Sequence, residues 1–327
     1  MILTYMYDFI AIGDTVIDAF IRLKDARTNR DHSTLTLAFG EKIPYESVEI
    51  VPAVGNSANA TVAAAKLGLI SALVTHLGGD EYGMKCLETL IEKGVAKDFI
   101  ISHSGRKTNY HYVLWYESDR TILVKHEEYE RHLPDIGKPK WLYLSSLGPD
   151  SFEYHREIGK YIKENQDVKL AFQPGTFQIN LGTETLKEIY KRADIFFVNI
   201  EEARTILAEN SQGSTLVEKI HALGPKIVVL TDGSRGAYAF DGANKYFISP
   251  YPDPKPPLER TGAGDALAST TVAALAMGKT LEEAVKWGMI NAMSVVQQVG
   301  AQKGLLTRSQ IEAYLAKAPA DFKLKKI

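Results

Sequence analysis

Residues 56–75 of the chain read NSANATVAAAKLGLISALVT, and this stretch indicates the fold class. Its first part, from Asn56 to Gly68, is rich in alanine, opens with a helix-capping type of residue and closes with glycine, so it predicts a helix. Residues 71–75 form a short apolar run, typical of a strand that is buried on both faces of a parallel sheet. A helix followed directly by a buried strand is the repeating unit of α/β proteins.

The same alternation continues on both sides of this stretch. Residues 9–12 predict a first buried strand, and a helical pattern at residues 81–93 follows the strand at 71–75. Further apolar runs predict strands at residues 99–102, 141–144, 169–172, 195–198 and 227–230, and the last helical patterns lie near residues 262–277, 281–297 and 307–315. We therefore expect a doubly wound, mostly parallel sheet flanked by helices.

The composition of the 327 residues is that of a globular protein. Hydrophobic residues make up 45% and charged residues 24%, which excludes collagen-like, coiled-coil and largely disordered chains. The net charge of −2 argues against a nucleic-acid partner, because such proteins need an excess of positive charge. The single cysteine, Cys86, fits a reducing compartment, and residues 1–20 have neither a signal-peptide nor a membrane-span pattern. A cytoplasmic protein without a membrane partner is expected.

Two stretches interrupt the α/β pattern. Residues 21–51 and 107–125 show the period-two alternation of strands and carry no helix signals. Because each lies between units of the main sheet, the two could form one small sheet, a lid assembled from two insertions; the alternative is a pair of long surface hairpins. The domain prediction is an α/β core of residues 1–20, 52–106 and 126–327 with a discontinuous β lid of residues 21–51 and 107–125.

Residues 259–265, ERTGAGD, carry the strongest chemical signal. Gly262, Ala263 and Gly264 let the backbone approach a ligand closely. The helix that begins there offers unpaired N–H groups and a positive dipole end to a phosphate. Asp265 in the first turn has two interpretations. It could simply favour the helix dipole, or it could accept a proton from a hydroxyl that attacks the phosphate.

Polar residues that suit a sugar lie nearer the amino terminus. Gly55 is at a strand-to-helix turn where the main chain could approach a ligand, and Asn56 and Asn59 share a helix face. Amides that both donate and accept hydrogen bonds suit sugar hydroxyls, although a helix cap would also explain the asparagines. Asp14 and Asp18 follow the first strand, where doubly wound sheets bind ligands. One of them could hold two hydroxyls; Asp14 could equally be a turn residue.

Two further polar segments follow predicted strands at the same edge of the sheet. Asn199 and Glu202 provide oxygen ligands that could hold Mg²⁺, mostly through water, or could begin a capped helix. Thr231, Gly233 and Gly236 form a turn that could approach a nucleotide or could simply form a hairpin.

Together and in this order, these segments resemble the ribokinase-like (PfkB) family of sugar and nucleoside kinases. The resemblance extends from Gly13 to about Ala301. Residues 261–265 resemble the carboxy-terminal signature of the family, and residues 55–59 with their alanine-rich helix resemble the amino-terminal one. Between them, the sequence is similar to three further family motifs, which are a GxDxxG-like stretch at residues 78–83, NxxE at Asn199 and Glu202, and TxGxxG at Thr231, Gly233 and Gly236.

The resemblance implies a role for each matched position. Asp265 would be the base that activates the acceptor hydroxyl, and the amides of Gly262, Ala263 and Gly264 would form the anion hole for the transferring phosphoryl group. The other implied roles are substrate binding by Asp18, Gly55, Asn56 and Asn59, magnesium binding by Asn199 and Glu202, and nucleotide binding by Thr231, Gly233 and Gly236. The two insertions would form the lid, which commonly pairs between subunits in the family, so a homodimer is expected.

The resemblance implies an ATP- and Mg²⁺-dependent kinase that phosphorylates a hydroxyl of a small sugar. A nucleoside kinase is the alternative, because Val16 is apolar where a ribokinase has a polar residue and the aromatic residues of 110–116 could hold a base. A non-catalytic ligand-binding homologue is a further alternative, against which the intact Asp265 argues.

Departures from the family pattern bear on charge near the site. A sugar acid or sugar phosphate would need positive charge in the lid, for which the candidates are Arg22, Lys24, Arg106 and Lys107. Glu259 and Arg260 stand where the family usually has Asp-Thr, which leaves the monovalent-cation site of many members undecided here. Val54 replaces the usual first glycine of the amino-terminal signature.

Overall fold

The computed structural model describes residues 6–29, 34–117 and 119–327. The strands are β1 (Phe9–Ile12), β2 (Val16–Leu23), β3 (Arg27–Thr28), β4 (Leu35–Thr36), β5 (Tyr45–Val54), β6 (Ser71–Gly78), β7 (Ile100–His103), β8 (Asn109–Tyr116), β9 (Asp119–Leu123), β10 (Trp141–Leu144), β11 (Lys169–Phe172), β12 (Ile195–Asn199), β13 (Val228–Thr231), β14 (Ala237–Phe240), β15 (Lys245–Ile248) and β16 (Lys325–Lys326). The helices are α1 (Asn56–Lys66), α2 (Glu81–Glu92), α3 (Phe152–Glu164), α4 (Thr176–Leu181), α5 (Lys187–Arg192), α6 (Ile200–Leu207), α7 (Gly213–His221), α8 (Ala263–Ala276), α9 (Leu281–Val295) and α10 (Arg308–Ala316), with a 3₁₀ turn at Gly233–Arg235.

The main sheet has the strand order β16-β15-β14-β13-β12-β11-β10-β1-β6-β7. All strands from β13 to β7 in this order pair in parallel, whereas β14, β15 and β16 extend the β13 edge with antiparallel pairs. The predicted mostly parallel α/β sheet is therefore confirmed. The antiparallel edge was not predicted, because its strands are short and only partly buried.

Alternate residues of each central strand belong to different cores. On β1, Phe9 and Ala11 belong to one core with residues of α1, α8 and α9, whereas Ile10 and Ile12 belong to the other with residues of α3, α5 and α7. All four side chains are fully buried. Burial on both faces explains why the central strands read as continuous apolar runs rather than as alternating ones.

A second, four-stranded sheet with the order β5-β2-β8-β9 is the lid. Strand β2 pairs antiparallel with β5 and parallel with β8, and β8 pairs antiparallel with β9. The two predicted insertions therefore share one sheet. The sheet also extends past the predicted boundaries, since β2 begins at Val16 and β5 ends at Val54. These strand ends are buried against the core, as Ile17 and Ala53 show, which is why their apolar sequence resembled the core rather than the lid.

Outside the two large sheets, β3 and β4 form a small antiparallel pair. Residues 1–5 of the predicted core and residues 30–33 and 118 of the predicted lid lie outside the described residues. Within the part of the chain that the structure describes, no helix combines the length and the apolar character needed to cross a membrane.

The carboxyl ends of β1, β10, β11, β12 and β13 lie at one edge of the main sheet, and the residues that follow them face the lid. The polypeptide returns from the lid into α1 through Gly55, which occupies the cap position that the sequence had suggested for Asn56. Gly55 has a φ of +112°, and a Cβ there would lie 2.6 Å from the carbonyl oxygen of Asp14. Only glycine fits this close crossing of two chain segments.

Candidate active site

A cavity of about 610 Å³ lies between this edge of the main sheet and the lid. Its wall includes most of the predicted site residues, namely Asp18, Gly55, Asn56, Asn59, Asn199, Glu202, Thr231, Gly262, Gly264 and Asp265. Of the remaining three, Ala263 lies between two residues of the wall in the first turn of α8, whereas Gly233 and Gly236 lie in the turn just beyond Thr231. The structure thus brings sequence segments that are far apart around one space.

The turn before α8 exposes backbone N–H groups to the cavity. Gly262 precedes the helix with a φ of +82°, and a Cβ there would lie 2.3 Å from the Cβ of Ala301, so a larger residue does not fit. Among the described residues, no side chain caps this helix end. The N–H groups of Ala263 and Gly264, at the positive end of a 14-residue helix, are therefore available to an anion.

The carboxylate of Asp265 is held by two side-chain amides at the same place. Asn59 Nδ2 donates to Asp265 Oδ2 at 2.8 Å, and Gln173 Nε2 donates to Asp265 Oδ1 at 3.1 Å. Burial raises the pKa of Asp265, and the hydrogen bonds from the two amides only partly oppose it. An oriented carboxylate with a raised pKa beside an anion site can accept a proton from a bound hydroxyl.

The amide of Asn59 is itself fixed by a buried network. Gln302 Nε2 donates to Asn59 Oδ1 at 2.8 Å and to the carbonyl oxygen of Ala53 at 2.7 Å. Lys93 Nζ in turn donates to Gln302 Oε1 at 2.5 Å. Because the Asn59 oxygen is occupied by a donor, the NH₂ group must face Asp265.

Gln173 is oriented from the opposite side. The hydroxyl of the fully buried Tyr143 donates to Gln173 Oε1, so the Gln173 NH₂ group also faces Asp265. Sequence reasoning missed both Gln173 and Gln302. The position of Gln173 directly after β11, at the ligand-binding edge, was an available signal, whereas the contact of Gln302 with Asn59 spans 243 residues and left no local signal.

The lid contributes Asp18 and His111 to the cavity wall. The two residues are directly opposite each other on β2 and β8, with His111 Nδ1 3.5 Å from Asp18 Oδ1. Neither Asp18 Oδ1 nor His111 Nε2 has a hydrogen-bonding partner among the described residues, although both atoms are buried. Buried polar atoms that face a cavity without partners are suited to bind the hydroxyls of a ligand.

Asp14 also lies in the wall, but its carboxylate is occupied by the protein. The Gly148 N–H donates to Oδ2 at 2.7 Å, Arg131 Nη2 donates to Oδ1 at 3.0 Å, and His126 Nδ1 is 3.3 Å from Oδ2. Burial alone would raise the pKa of Asp14, but the His126 contact and the Arg131 charge lower it. Asp14 is thus committed to an internal ion pair, whereas Asp18 keeps a free oxygen.

A family model for "pfkB family carbohydrate kinase" matches residues 11–308. The chain belongs to the pfkB family of carbohydrate kinases. It is 28% identical over 285 residues to the ribokinase of Bacillus subtilis, with 85% of this chain and 92% of that protein covered. It is 24% identical over 333 residues to the 5-dehydro-2-deoxygluconokinase of Halalkalibacterium halodurans, with 95% of each chain covered.

A solved structure of Arabidopsis thaliana ribokinase complexed with ribose and ATP shares the fold, with a TM-score of 0.78, 21% identity and coverage of 94% of this chain and 98% of that chain. The predictions of the family, of the ribokinase-like fold and of a phosphotransferase that acts on a hydroxyl group are confirmed.

The two metal-ligand candidates of the kinase begin helix α6 as a capping box. Asn199 Oδ1 accepts the Glu202 N–H at 2.8 Å, and Glu202 Oε2 accepts the Asn199 N–H at 2.9 Å. Burial raises the pKa of Glu202, and the charge of Asp265 adds to this effect, so a cation here would stabilise both carboxylates. Within the described residues, no group of three His, Cys, Asp or Glu side chains could surround a metal. Carboxylate and amide oxygens such as those of Glu202 and Asn199 are ligands that Mg²⁺ accepts together with water.

The turn after β13 leads into the antiparallel edge of the sheet. Thr231 ends β13 in the cavity wall, and Arg235 Nε donates to Asp232 Oδ2 at 2.9 Å within the turn. Gly236 has a φ of +128°, and a Cβ there would lie 2.2 Å from the carbonyl oxygen of Ile248 on β15. The turn is therefore a tight hairpin connection, and Thr231 at its start lies in the cavity wall.

The four residues considered as lid cations in the sequence do not supply the positive charge at the cavity. The four basic lid residues considered in the sequence, Arg22, Lys24, Arg106 and Lys107, are not part of the cavity wall. Arg22 instead pairs with Glu46 at 3.1 Å and lies over the ring of Trp115. The cations in the wall are Arg120, from lid strand β9, and Arg260, from the turn before α8.

Proposed function

We propose that this kinase transfers the γ-phosphoryl group of ATP to a hydroxyl of a small neutral sugar. The observation that carries the proposal is the position of Asp265. Asp265 lies in the first turn of α8, whose N-terminal N–H groups have no side-chain cap among the described residues. Its carboxylate is oriented by the side-chain amides of Asn59 and Gln173. It lines the same cavity as Asp18 of the lid.

In the proposed reaction, Asp265 accepts the proton of the acceptor hydroxyl. The acceptor oxygen forms a bond to the γ-phosphorus, and the bond from the γ-phosphorus to the β,γ-bridging oxygen breaks, which releases ADP and a sugar phosphate. The N–H groups of Gly262, Ala263 and Gly264 stabilise the charge on the phosphoryl oxygens. Asp265 then loses its proton to solvent.

The donor nucleotide would occupy the part of the cavity on the β12 and β13 side. Asn199 and Glu202 would hold Mg²⁺ mostly through water, and the ion would neutralise part of the phosphate charge. Thr231, with Gly233 and Gly236 in the turn beyond it, would lie against the nucleotide, because the glycines keep this turn close to the backbone of the sheet.

The charges of the acceptor side support a neutral sugar rather than an anionic one. Asp18 faces the cavity with a free oxygen, and the carboxylate of Asp14 lies nearby. The neighbouring cation Arg131 is already paired with Asp14 at 3.0 Å and with Asp150 at 2.5 Å. A carboxylate or phosphate beside Asp18 would therefore meet negative charge, because the two arginines of the cavity wall, Arg120 and Arg260, lie at the turn before α8 instead.

Of the two arguments for a nucleoside acceptor, the aromatic residues of the lid find no support, whereas Val16 does lie in the cavity wall. Of the aromatic residues on strand β8, Tyr110, Tyr112 and Trp115 are not part of the cavity wall. Tyr110 and Tyr112 instead contact each other, with Tyr110 also against Tyr82, at ring-centroid distances of 5.2 and 5.1 Å. They border a separate groove and are not placed to hold a base in the cavity.

The test of the proposed function is ADP release from Mg-ATP with a panel of free sugars, sugar acids, sugar phosphates and nucleosides. We expect turnover with a neutral pentose or hexose and none with the acids or phosphates. Turnover with a nucleoside alone would contradict the acceptor assignment and leave the role of Asp265 intact. Binding of ATP without turnover of any acceptor would favour a ligand-binding homologue.

We also propose that the lid pairs with the lid of a second copy of the chain. Its outer face carries a row of apolar side chains in register on β5, β8 and β9. Ile50, Tyr112 and Leu123 in this row are 43%, 49% and 52% exposed. Burying such a face would be favourable. We expect a dimer in light scattering and a monomer for Ile50→Lys; a wild-type monomer at micromolar concentration would contradict this proposal.

A further inference from the structure

Arg120 places a positive charge of the lid next to the turn of residues 259–262 before α8, which we call the catalytic turn. It lies on β9, directly opposite Trp115 on β8, and its side chain forms part of the cavity wall together with Gly262 and Asp265. Its charge opposes the burial that raises the pKa of Asp265, which places the guanidinium within electrostatic reach of the proposed base. No motif in the sequence pointed to this residue.

The guanidinium of Arg120 is only partly engaged by the protein. Nη1 donates to Asp119 Oδ1 at 3.1 Å on the same strand, whereas Nε is buried and has no hydrogen-bonding partner among the described residues. The Nε atom lies 3.8 Å from Glu259 Oε1, which is too far for a hydrogen bond. A buried charged donor without a partner would gain from an anionic ligand.

Glu259 makes no hydrogen bond to the Nε atom of Arg120, because its nearer oxygen, Oε1, already accepts two other bonds and lies 3.8 Å away; its Oε2 has no hydrogen-bonding partner among the described residues. Glu259 is completely buried, and its Oε1 accepts the Thr261 N–H at 2.7 Å and the Thr261 hydroxyl at 2.5 Å. These two bonds hold the turn that leads into Gly262. The negative charge of Glu259 therefore attracts the Arg120 guanidinium to the catalytic turn, and the guanidinium Nε–H remains available to a ligand.

We propose that Arg120 binds the γ-phosphate of ATP from the lid side, opposite the N–H groups of residues 262–264. This inference rests on the proposed function. The planar guanidinium can donate two parallel hydrogen bonds to a phosphate, which a helix N-terminus alone cannot do from the far side of the ligand. When a phosphate is bound, the contact with Glu259 is exchanged for a charge-assisted hydrogen bond.

The location of Arg120 on the lid has a further consequence for the reaction. Asp18, His111 and Arg120 belong to one hydrogen-bonded sheet, so the groups that face the acceptor and the group proposed to meet the phosphate are held in fixed relative positions. A sheet that covers a sugar therefore also holds Arg120 at the phosphate, since Arg120 lies beside Glu259 in this structure. This arrangement ties phosphoryl transfer to the presence of the acceptor and disfavours transfer to water.

The test compares the affinities of two nucleotides by calorimetry, in the presence of Mg²⁺, for the full chain and for Arg120→Met. We expect affinity for the non-hydrolysable analogue adenylyl imidodiphosphate to fall roughly tenfold to a hundredfold, the effect of one hydrogen bond between charged groups, while affinity for ADP stays within about twofold. Arg120→Lys, which keeps the charge, should recover part of the loss. Arg22→Met is the matched control, because Arg22 belongs to the same cross-strand row on the other side of Trp115 and is outside the cavity wall.

Unchanged affinity of Arg120→Met for the analogue would overturn the inference, as would an equal loss of affinity for both nucleotides, since neither would reflect a contact with the γ-phosphate. A wild-type protein that bound neither nucleotide would instead overturn the proposed function itself. The two failures are therefore distinguished by the behaviour of the unmodified chain.

Discussion

Replacing Gln173 with leucine should change the proton affinity of the proposed base without removing the base. Gln173 Nε2 donates to Asp265 Oδ1 at 3.1 Å, and a hydrogen bond to a charged group contributes about 1.5–3 kcal/mol. Because the cavity admits solvent and the bond is long, the lower end applies. A loss of about 1.5 kcal/mol makes protonation of Asp265 about tenfold more favourable.

The sign of the effect follows from the environment of Asp265. Burial already raises its pKa, and the bond from Gln173 opposes that rise, so loss of the bond raises the pKa further. A larger fraction of the base is then protonated, and inactive, at mildly acidic pH. The acid limb of the kcat/KM profile should move to higher pH by about one unit, while kcat at the alkaline plateau stays within a few-fold of wild type.

The assay is steady-state ADP release between pH 5 and 9 with the acceptor found in the panel. Tyr143→Phe, which removes only the donor that orients Gln173, should shift the limb in the same direction by less. Gln166→Leu, at an exposed glutamine that bonds the Lys163 carbonyl oxygen, is the control and should leave the profile unchanged. An acid limb of Gln173→Leu that coincides with that of wild type would refute the reasoning.

Three further outcomes are expected. Asp265→Asn should lower kcat about 100- to 10,000-fold while calorimetry shows nucleotide binding retained; near-normal turnover would eliminate Asp265 as the base. Gly262→Ala would place a Cβ 2.3 Å from the Cβ of Ala301, so activity and melting temperature should both fall, and full activity would contradict the tight turn. Burial, helped by the charges of Arg131 and His103, lowers the pKa of His76 from 6.5 to about 4. As pH falls, the unfolded chain binds a proton at His76 before the folded chain does. The free energy of unfolding should therefore decrease by up to about 3 kcal/mol between pH 6.5 and 4, and the free energy measured by urea unfolding should depend less on pH in His76→Leu than in the wild type. Parallel profiles of the two proteins would contradict this.

The central strands were predictable because burial on both faces gives them a pattern that depends on local sequence alone. Residues 9–12, 141–144 and 169–172 were predicted with the bounds that the structure shows. The antiparallel edge shows no such pattern, since residues such as Tyr246 and Phe247 are only half-buried and their pairing partners on β16, Lys326 and Lys325, are about 80 residues away in sequence. The lid boundaries were displaced for a related reason, because strands β2 and β5 pass from the lid into the core without a break.

Site residues could be predicted where they follow a recognisable strand or glycine turn. They could not be predicted where their role depends on contact with a residue that is distant in the sequence. Asp265 and Asn59 belong to motifs, but their hydrogen bond joins residues 206 positions apart and could not be inferred from either motif by spacing. Gln302 and Arg120 belong to no motif. Their roles depend on how the carboxy-terminal segment and the lid pack around the cavity, which is a property of the tertiary structure.

The lid sheet also bears on how members of this fold could be redesigned. The residues proposed to recognise the acceptor, Asp18 and His111, lie on strands that are separate in the chain from the helix end at Gly262 and Asp265, where the phosphoryl group would be transferred. The two groups proposed to recognise the acceptor and most of the groups proposed to transfer the phosphoryl group therefore lie on separate segments of the chain that face each other across the cavity. A library confined to inward-facing positions of β2 and β8 could search for new substrates while Arg120 on β9 and the groups at the helix end stay unaltered.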